Sequence, residues 1–367
     1  MKVLHFAPTL RIGSATQMAA DLAYALQLHG TQSYLVAPEN DKDIAPTGSQ
    51  LRFIPFHPPA LPGECLLLMK LRRIISSVEP SIIQAYGRDA IMLAARALRR
   101  LPSSCKKPKL VGTLTGYPRG GDFLRSQELD SCDAITCVSK CLRQFLYTAR
   151  PELDRVLHIP YGINDSLCYP TYSVPDGWQS EWETAYPELR GRFVICLPGP
   201  ISAAHGTADI VPVLATLLQL EIPAHAVIAA NKAVADASYM VMLNRRIRAA
   251  GIDGHVTWIS NPTQLRDIMC SCHAVVSLTA EALAYDRPIL EALSLGRPVT
   301  GYGHGASGEY LETFQPVGVV PVGDYDAIAD VLSQWYTSPP DPVEGVPYPY
   351  RLTDTAKSYS DLYETLI

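Results

Sequence analysis

The chain has 367 residues, of which 47% are hydrophobic and 18% are charged, with a formal net charge of −5. These proportions are typical of a soluble globular protein and exclude a disordered one. No apolar run approaches the ~18 residues of a membrane span, and the length predicts two domains with separate cores.

The charge is distributed unevenly along the chain. Residues 1–165 carry a net charge of +6, and residues 166–367 carry −11. The basic positions cluster at Lys70, Arg72, Arg73, Arg96, Arg99, Arg100, Lys106, Lys107 and Lys109. Such a face suits the inner membrane surface or an anionic acceptor, and a solvated helix surface is the equally weighted alternative. Nucleic acid is not expected, because the clusters lack interleaved aromatic residues.

The nine cysteines are scattered without the paired spacing of metal ligands. This pattern predicts buried free thiols in a reducing cytoplasm and no metal site. The first residues, MKVLHFAP, form too short an apolar run for a secretory signal and predict a first strand.

The first half of the chain alternates β-branched runs with stretches of helical periodicity. This alternation predicts a doubly wound parallel sheet. The predicted strands are Val3–Ala7, Ser33–Ala37, Leu51–Phe56, Ser81–Ala85, Lys109–Leu114, Ala134–Val138 and Val156–Ile159. The predicted helices are Ala15–His29, Leu66–Ser77, Ala90–Arg100 and Lys140–Thr148.

A second series of the same kind begins at Phe193, after a linker and irregular insertion over residues 165–191 that contains several prolines and two tryptophans. Its predicted strands are Phe193–Leu197, Ala226–Ala229, Val256–Ile259, Ala274–Leu278, Pro298–Gly301 and Val319–Val322. Its predicted helices are Ala208–Leu220, Ala237–Ala250, Pro262–Cys270 and Pro288–Leu295. A proline-rich stretch, Pro339–Pro349, then leads to a final helix near Asp354–Leu366.

The segment from Val275 to Leu311 carries the strongest chemical signal. It predicts a strand, an acidic loop with Glu281, a helix that opens at Pro288 and carries Glu291, a further strand, and a glycine-rich turn that closes on Glu309. In α/β domains, ligands lie beyond the carboxyl ends of the strands and at helix N-termini. Carboxylates accept hydrogen bonds from vicinal hydroxyls, and helix N–H groups receive phosphate, so the segment suits a sugar nucleotide.

This segment resembles the donor-binding signature of retaining GT-B glycosyltransferases of family 4. The resemblance covers most of the chain and is nearest to bacterial enzymes of surface polysaccharide or lipopolysaccharide synthesis. It implies two Rossmann-like domains that face across a cleft, with the C-terminal helix crossing back to the first. The implied acceptor-side domain comprises residues 1–165 and 350–367, and the implied donor-side domain comprises residues 166–349.

The resemblance also implies a substrate and a location. The donor is a nucleotide sugar, and the acceptor is a glycan or glycolipid. No metal or other cofactor is expected, because no Asp-x-Asp motif lies in a suitable loop. The expected location is the cytoplasm, with peripheral attachment to the inner face of the membrane as one possibility.

Three short motifs of the first domain match acceptor-side positions of the family. Gly13 and Ser14 lie where the family has a double glycine between the first strand and helix, although a simple turn there remains open. Arg88 follows the fourth strand and suits an anionic acceptor group, or is a surface arginine. Thr115 replaces the usual histidine before Gly116, and a threonine supplies no ionisable group near neutral pH.

The largest departure follows Gly199. The family has an arginine and a lysine there that neutralise the donor diphosphate, whereas this chain has Pro200 and His205. Proline has neither charge nor N–H, and the histidine is cationic only if its pKa is raised. His205, Lys232 and Arg287 are the candidate substitute cations by loop position, with surface charge as the alternative for Arg287.

The two glutamates, Glu281 and Glu291, are the predicted catalytic pair. The family separates its glutamates by seven residues, whereas nine lie between these two, which indicates an insertion around Ala284–Asp286. A competing alignment places Leu283 in the first position. Gly305, Gly308 and Glu309 match the family's glycine-rich turn at the sugar or phosphate.

Three functions follow from these motifs. The leading prediction is an active retaining glycosyltransferase, a hexosyltransferase by type. The alternative is a catalytically degenerate homologue that is a partner or scaffold of an active transferase, favoured by Thr115, Pro200, His205 and the wider glutamate spacing. Another GT-B enzyme is less suitable, because a phosphorylase needs a pyridoxal-phosphate lysine and an epimerase needs the same phosphate-binding cations.

Overall fold

The computed structural model describes residues 1–8, 14–38, 51–56, 64–103, 105–118, 121–232, 235–260, 264–342 and 350–367. The chain divides into two compact units. Met1–Asn164 and Tyr348–Ile367 form the first domain, and Asp165–Pro347 forms the second.

The first domain is built on a seven-stranded parallel sheet. Its strands are β1 (Lys2–Phe6), β2 (Gln32–Ala37), β3 (Arg52–Pro55), β4 (Ile82–Tyr86), β5 (Lys109–Leu114), β6 (Ala134–Cys137) and β7 (Val156–His158). They lie in the order β3-β2-β1-β4-β5-β6-β7. Strands β2 and β3 are therefore added on one side of β1 and strands β4 to β7 on the other, so the strand order reverses between β1 and β4. The interior strands are almost fully buried, as expected when helices cover both faces of a parallel sheet.

In the parts of this domain that the structure describes, six helices connect the strands and a seventh follows the second domain. They are α1 (Ser14–Leu28), α2 (Glu64–Val78), α3 (Arg88–Arg99), α4 (Gly121–Leu124), α5 (Gln127–Asp130), α6 (Lys140–Ala149) and α14 (Leu352–Leu366). Helix α14 belongs to the first domain and contacts α1. The backbone joins its start to the end of the N-terminal segment, because Ile163 N–H donates to Tyr350 and Leu352 N–H donates to Ile163.

The second domain has a six-stranded parallel sheet. Its strands are β8 (Phe193–Pro198), β9 (Ala224–Ala229), β10 (Val256–Ile259), β11 (Ala274–Ser277), β12 (Val299–Tyr302) and β13 (Val319–Val320). The order is β10-β9-β8-β11-β12-β13, with the reversal between β8 and β11. Its core combines the β8, β9 and β11 side chains with those of the covering helices.

The helices of the second domain include three that the sequence patterns did not predict. The α-helices among its described residues are α7 (Trp178–Ala185), α8 (Ile210–Gln219), α9 (Ala237–Ala249), α10 (Leu265–Cys270), α11 (Arg287–Ser294), α12 (Gly305–Phe314) and α13 (Tyr325–Thr337). Helix α7 lies in the predicted irregular insertion, α12 replaces the predicted glycine-rich turn, and α13 precedes the proline-rich stretch. Every helix in the described parts of the chain is too short or too polar to span a bilayer.

Candidate functional site

The predicted donor residues lie at the carboxyl edge of the second sheet, where the strand order reverses. The loops that follow β8 and β11 leave neighbouring strands there, and the loop after β12 lies next to them. A reversal of this kind opens a crevice at the strand ends, which is the usual ligand position in doubly wound sheets.

Backbone contacts hold these three loops together. Ala280 N–H and Glu281 N–H both donate to the Ala204 carbonyl, at 3.0 and 3.1 Å. Ala306 N–H donates to the Leu283 carbonyl at 2.7 Å. The loop after β11 is therefore fixed to the loop after β8 on one side and to the start of α12 on the other.

Gly206 makes the first of these contacts possible. Its backbone has a φ of 59°, and a Cβ at this position would overlap the Leu278 carbonyl oxygen. A glycine has neither the steric conflict nor the cost of the left-handed conformation. The predicted site glycine Gly199 has a φ of 115° and open space around its Cα.

His205 lies partly buried beside this glycine. Its Nδ1 hydrogen bonds with the Ser202 hydroxyl at 2.8 Å. Burial lowers the pKa of His205, although Asp286 and Glu281 act in the opposite direction. The imidazole is therefore mainly neutral at pH 7, and a bound anion would raise its pKa. Pro200 is exposed and adds no charge.

Asp286 is a functional candidate that the sequence patterns did not single out. Its carboxylate is buried and accepts hydrogen bonds from the hydroxyls of Ser277, at 2.9 Å, and Ser307, at 2.6 Å. Burial raises its pKa above the usual aspartate value, even though both hydroxyls favour the ionised form. The residue joins the end of β11, the start of α11 and the first turn of α12.

The two predicted glutamates have different surroundings. Glu281 is exposed in the loop after β11. Glu291 lies in the second turn of α11 and pairs with Arg287, whose Nε is 2.7 Å from its carboxylate. The i,i+4 spacing brings these two side chains together on one helix face. Arg287 is thus joined to a predicted catalytic residue.

The predicted glycine-rich turn is the beginning of a helix, which corrects that part of the prediction. Gly305 opens α12 and lies against Leu283, whereas Gly308 lies against the Gly303 backbone. Glu309 follows within the same helix. His304 immediately precedes α12, and its Nε2 hydrogen bonds with the Thr279 carbonyl at 2.6 Å. These glycines allow close backbone approach between α12 and the loop after β11.

Lys232 occupies the loop after β9, beside β8 in the sheet. Its ammonium lies over the Trp258 ring, 4.5 Å from the ring centroid. Burial lowers its pKa. A lysine stacked on an indole retains a favourable cation–π contact, and its flexible stem allows it to reorient.

In the first domain, two of the predicted acceptor-side motifs lie together. Gly87 N–H donates to Thr113 at the end of β5, and the Gly87 Cα faces the Thr115 hydroxyl. Arg88 starts α3 and lies 5.8 Å from the Phe123 ring centroid, and Gly116 is exposed. Gly13 lies outside the described residues, as does the side chain of Ser14.

Comparisons with known proteins give the fold a family context. Residues 15–167 match the family model described as Glycosyltransferase Family 4. No curated protein matches the chain.

Similar solved structures cover both domains. A glycosyltransferase from Rickettsia africae has a TM-score of 0.83 and 15% identity, covering 100% of this chain and 98% of its own. HepE from Anabaena, crystallised with UDP and glucose, has a TM-score of 0.77 and 16% identity, covering 100% and 99%. A lipopolysaccharide outer core galactosyltransferase, WaaB, has a TM-score of 0.68 and 10% identity, covering 100% of both chains.

These likenesses confirm the fold and the family resemblance predicted from the motifs. Identities of 10–16% show architecture, and the family match adds the first domain's sequence. The chain therefore has the GT-B fold, and its first domain matches glycosyltransferase family 4.

Proposed function

We propose that the protein is a retaining glycosyltransferase that moves a sugar from a nucleotide-sugar donor to a polysaccharide, lipid-linked or lipopolysaccharide acceptor. The donor binds at the carboxyl edge of the second sheet. The structural likeness to a protein crystallised with UDP and glucose and to a lipopolysaccharide galactosyltransferase supports this proposal.

One observation carries the proposal. Three helical segments begin at the interlocked loops: the 3₁₀ helix Thr207–Asp209 that continues into α8, then α11 at Arg287, and α12 at Gly305. A helix N-terminus carries a partial positive charge, which suits a diphosphate. The attraction here is that of the helix dipoles, because the N–H groups of Ala208, Asp209 and Ala306 already donate to acceptors within the protein. The dipoles supply attraction for phosphate where the chain lacks the family's arginine and lysine.

The proposed chemistry relies on positioning and electrostatics. The acceptor hydroxyl is the nucleophile, so the protein orients it and stabilises the departing nucleotide. In this proposal, Glu291 and Glu281 bind donor hydroxyls, and His205 takes up a proton as it approaches the diphosphate. Arg287 orients Glu291 through their ion pair and neutralises phosphate.

A second candidate is a degenerate homologue that binds an active glycosyltransferase as partner or scaffold. It is favoured by the neutral state of His205 and the absence of charge at Pro200. The ion pair between Arg287 and Glu291 further reduces the positive charge available to a bound diphosphate. A transferase needs leaving-group stabilisation, and each lost charge-assisted bond costs about 10²–10³ in rate.

Calorimetric titration with UDP, GDP and ADP, followed by hydrolysis and transfer assays with the matching nucleotide sugars, tests the leading proposal. We expect one nucleotide to bind at micromolar concentration. Glu291→Gln should weaken donor binding or turnover at least about tenfold with little change in thermal stability, since an i,i+4 ion pair contributes only ~0.5 kcal/mol. Glu312→Gln, on an exposed face of α12, is the matched control.

The double variant Pro200→Arg, His205→Lys separates the two candidates. If the pocket is degenerate, the wild type should show no measurable transfer, and the double variant should bind nucleotide more tightly because of its two added cations. An active enzyme with a rewired phosphate site should gain little or lose turnover through crowding. Failure of every nucleotide to bind the wild-type protein, together with a gain in the double variant, would exclude the active transferase.

We also propose that the first domain contacts an anionic membrane surface through part of the basic cluster that lies between Lys70 and Lys109. Arg96 and Arg99 pair with Glu128, and Lys109 pairs with Asp133. Lys70 and Arg73 lie on the exposed face of α2, along with Leu66 and Met69. An apolar and basic helix face suits an anionic membrane surface. Co-sedimentation with phosphatidylglycerol vesicles should fall in a Lys70→Gln, Arg73→Gln variant.

A further inference from the structure

A second cleft lies in the second domain at the amino ends of its strands, the edge of the sheet opposite to the donor loops. Its lining includes Phe193, which opens β8, and His273 and Pro298, which immediately precede β11 and β12. Its volume of about 680 Å³ is within the range of small-molecule sites. The proposed transfer reaction uses none of these residues.

Aromatic rings form much of the cleft wall. Trp182 and Tyr186, at the C-terminal end of α7, lie with ring centroids 4.8 Å apart. Tyr336, near the end of α13, packs edge-on against Phe193 at 5.5 Å and is 45% exposed. Pyranose rings present C–H groups on their faces, which favour the negative face of an aromatic ring.

The cleft is also unusually basic for its domain. Residues 165–347 carry a net charge of −11 and only nine lysines and arginines, yet three of these arginines line the cleft: Arg190, Arg192 and Arg297. Arg190 lies 3.7 Å from Glu183. Among the described residues, no carboxylate lies within ion-pair distance of Arg192 or Arg297.

Two further polar groups have defined orientations. Arg297 lines the cleft and donates through Nη2 to the Cys272 carbonyl, which fixes its guanidinium; its Nε is shielded from solvent and has no partner among the described residues. His273 accepts a hydrogen bond from Val194 N–H through Nδ1, at 3.0 Å, so the ring proton of the neutral imidazole lies on Nε2. The cleft therefore contains donors at Arg192, Arg297 and His273, with Glu183 as an acceptor.

We propose that this cleft binds an acidic oligosaccharide, with pyranose rings against Tyr186 and Tyr336 and a hexuronate carboxylate held by Arg192 and Arg297. Arginine recognises carboxylates with its planar fork of donors. Glu183 and His273 bond to sugar hydroxyls. This site is independent of the transfer reaction proposed above.

The helix ends favour a carboxylate over a phosphate. Helices α7, α11 and α13 all finish at this edge, and Tyr186, Gly296 and Tyr336 from their ends line the cleft. The partial negative charge of a helix C-terminus opposes a dianionic phosphate more than a single carboxylate. A nucleotide diphosphate therefore belongs at the opposite edge of the sheet.

Isothermal titration of the full chain tests this proposal. The probes are tetrasaccharides of galacturonate, mannuronate, guluronate and hyaluronan. Maltotetraose and cellotetraose are the neutral comparisons, and decaproline represents the alternative occupant, a proline-rich peptide. Tyr336→Ala and Arg192→Gln should each weaken uronate binding at least about tenfold, and Tyr336→Phe should retain it. The wild-type tryptophan fluorescence should change on binding, because Trp182 and Trp335 line the cleft.

Two matched controls come from the same domain. Tyr169→Ala removes another exposed tyrosine, which packs edge-on against Tyr172 at 5.7 Å, and Arg245→Gln removes an exposed arginine of α9. Both should bind the uronate as the wild type does, and all variants should bind nucleotide alike. The proposal is overturned if no uronate binds at millimolar concentration, if a neutral tetrasaccharide binds equally well, if the cleft variants bind normally, or if only decaproline binds.

Discussion

The carboxylate of Asp286 joins three loops through two buried serine hydroxyls. Its pKa in the folded protein is raised by burial above the ordinary value of 3.8. In the unfolded chain, the carboxyl group ionises at that ordinary value. Ionisation therefore opposes folding progressively as the pH rises through the ordinary value, and the effect is complete above the raised folded-state pKa.

The free energy of unfolding of the wild type, relative to Asp286→Asn, should therefore fall as the pH rises above about 4, and it should level off above the raised pKa of the folded protein. Urea unfolding of both proteins across this range measures the difference, and contributions from other groups cancel. A constant or rising difference would contradict the assignment. Asp286→Ala should be less stable than Asp286→Asn by about 1–3 kcal/mol, because it leaves the buried Ser307 hydroxyl without its acceptor.

At the residue scale, the sequence predicts neighbours along the chain better than partners in space. The i,i+4 spacing of Arg287 and Glu291 is sufficient for their ion pair, although the motif comparison assigned Arg287 to phosphate or to surface charge. Asp286 is different, because its hydroxyl partners lie 9 and 21 residues away in sequence. It falls within the apparent insertion between the two glutamates, so a comparison of motif spacing gives no sign that it joins the loops of the candidate site.

At the element scale, Gly206 sets the path of the loop after β8. Gly206→Ala would place a methyl group against the Leu278 carbonyl in a left-handed conformation. We expect a loss of stability of about 2 kcal/mol or more and a loss of nucleotide affinity, because the loop must move. Gly254→Ala is the control, since its Cβ meets open space. Equal stability and affinity of the two variants would show that the loop contact is unimportant.

Helix α14 is fixed to the first sheet by a buried polar network. Tyr363 donates to the Gln84 side chain at 2.9 Å, and Tyr359 hydrogen bonds with Thr136 at 2.9 Å and Thr113 at 3.2 Å. Buried networks of this kind stabilise a unique docking when every member has a partner. The hydroxyl groups of the two tyrosines therefore stabilise the docking of α14 in addition to the apolar area that their rings bury.

Tyr363→Phe should lower the free energy of unfolding by about 1–3 kcal/mol, because the buried Gln84 oxygen loses its donor. Tyr169→Phe, at an exposed position, should change it by less than about 0.5 kcal/mol. Urea unfolding followed by far-ultraviolet circular dichroism compares the two. An equal effect from both substitutions would mean that the network adds no stability.

The strands were predictable because buried parallel strands are continuous apolar runs, and the βα alternation follows from them. Helix α12 was not, because Gly305 and Gly308 have low helix propensity, yet their close contacts with Leu283 and Gly303 need glycine. Helix α7 was hidden by the surrounding prolines. In both cases tertiary packing overrides the local signal.

At the scale of the whole molecule, the two domains differ in how the chain builds them. The second domain uses one continuous segment, Asp165–Pro347, whereas the first uses two segments from opposite ends of the chain. The expectation of a divided first domain came from the family resemblance alone, since no periodicity indicates where a terminal helix packs. The resemblance was needed because docking of α14 depends on contacts remote in sequence.

The segments of the first domain meet closely enough to be joined directly. Ile163 pairs with Arg351, and a Cβ on Gly162 would overlap the Arg351 backbone. A chain of residues 1–164, a short glycine–serine linker and residues 350–367 should therefore fold without the second domain. Residues 1–164 alone should not fold cooperatively, because the partners of Leu352, Ala356, Tyr359 and Tyr363 would be exposed to water.

Urea unfolding and amide NMR spectra distinguish these outcomes for both chains, and residues 165–347 provide the comparison as a segment with its own core. Cooperative unfolding of the linked chain, but not of residues 1–164, would establish α14 as an integral part of the first domain. Cooperative folding of residues 1–164 alone, with stability equal to that of the linked chain, would instead show α14 to be dispensable. The glycine–serine linker adds little entropy cost, since closure cost grows only slowly with loop length.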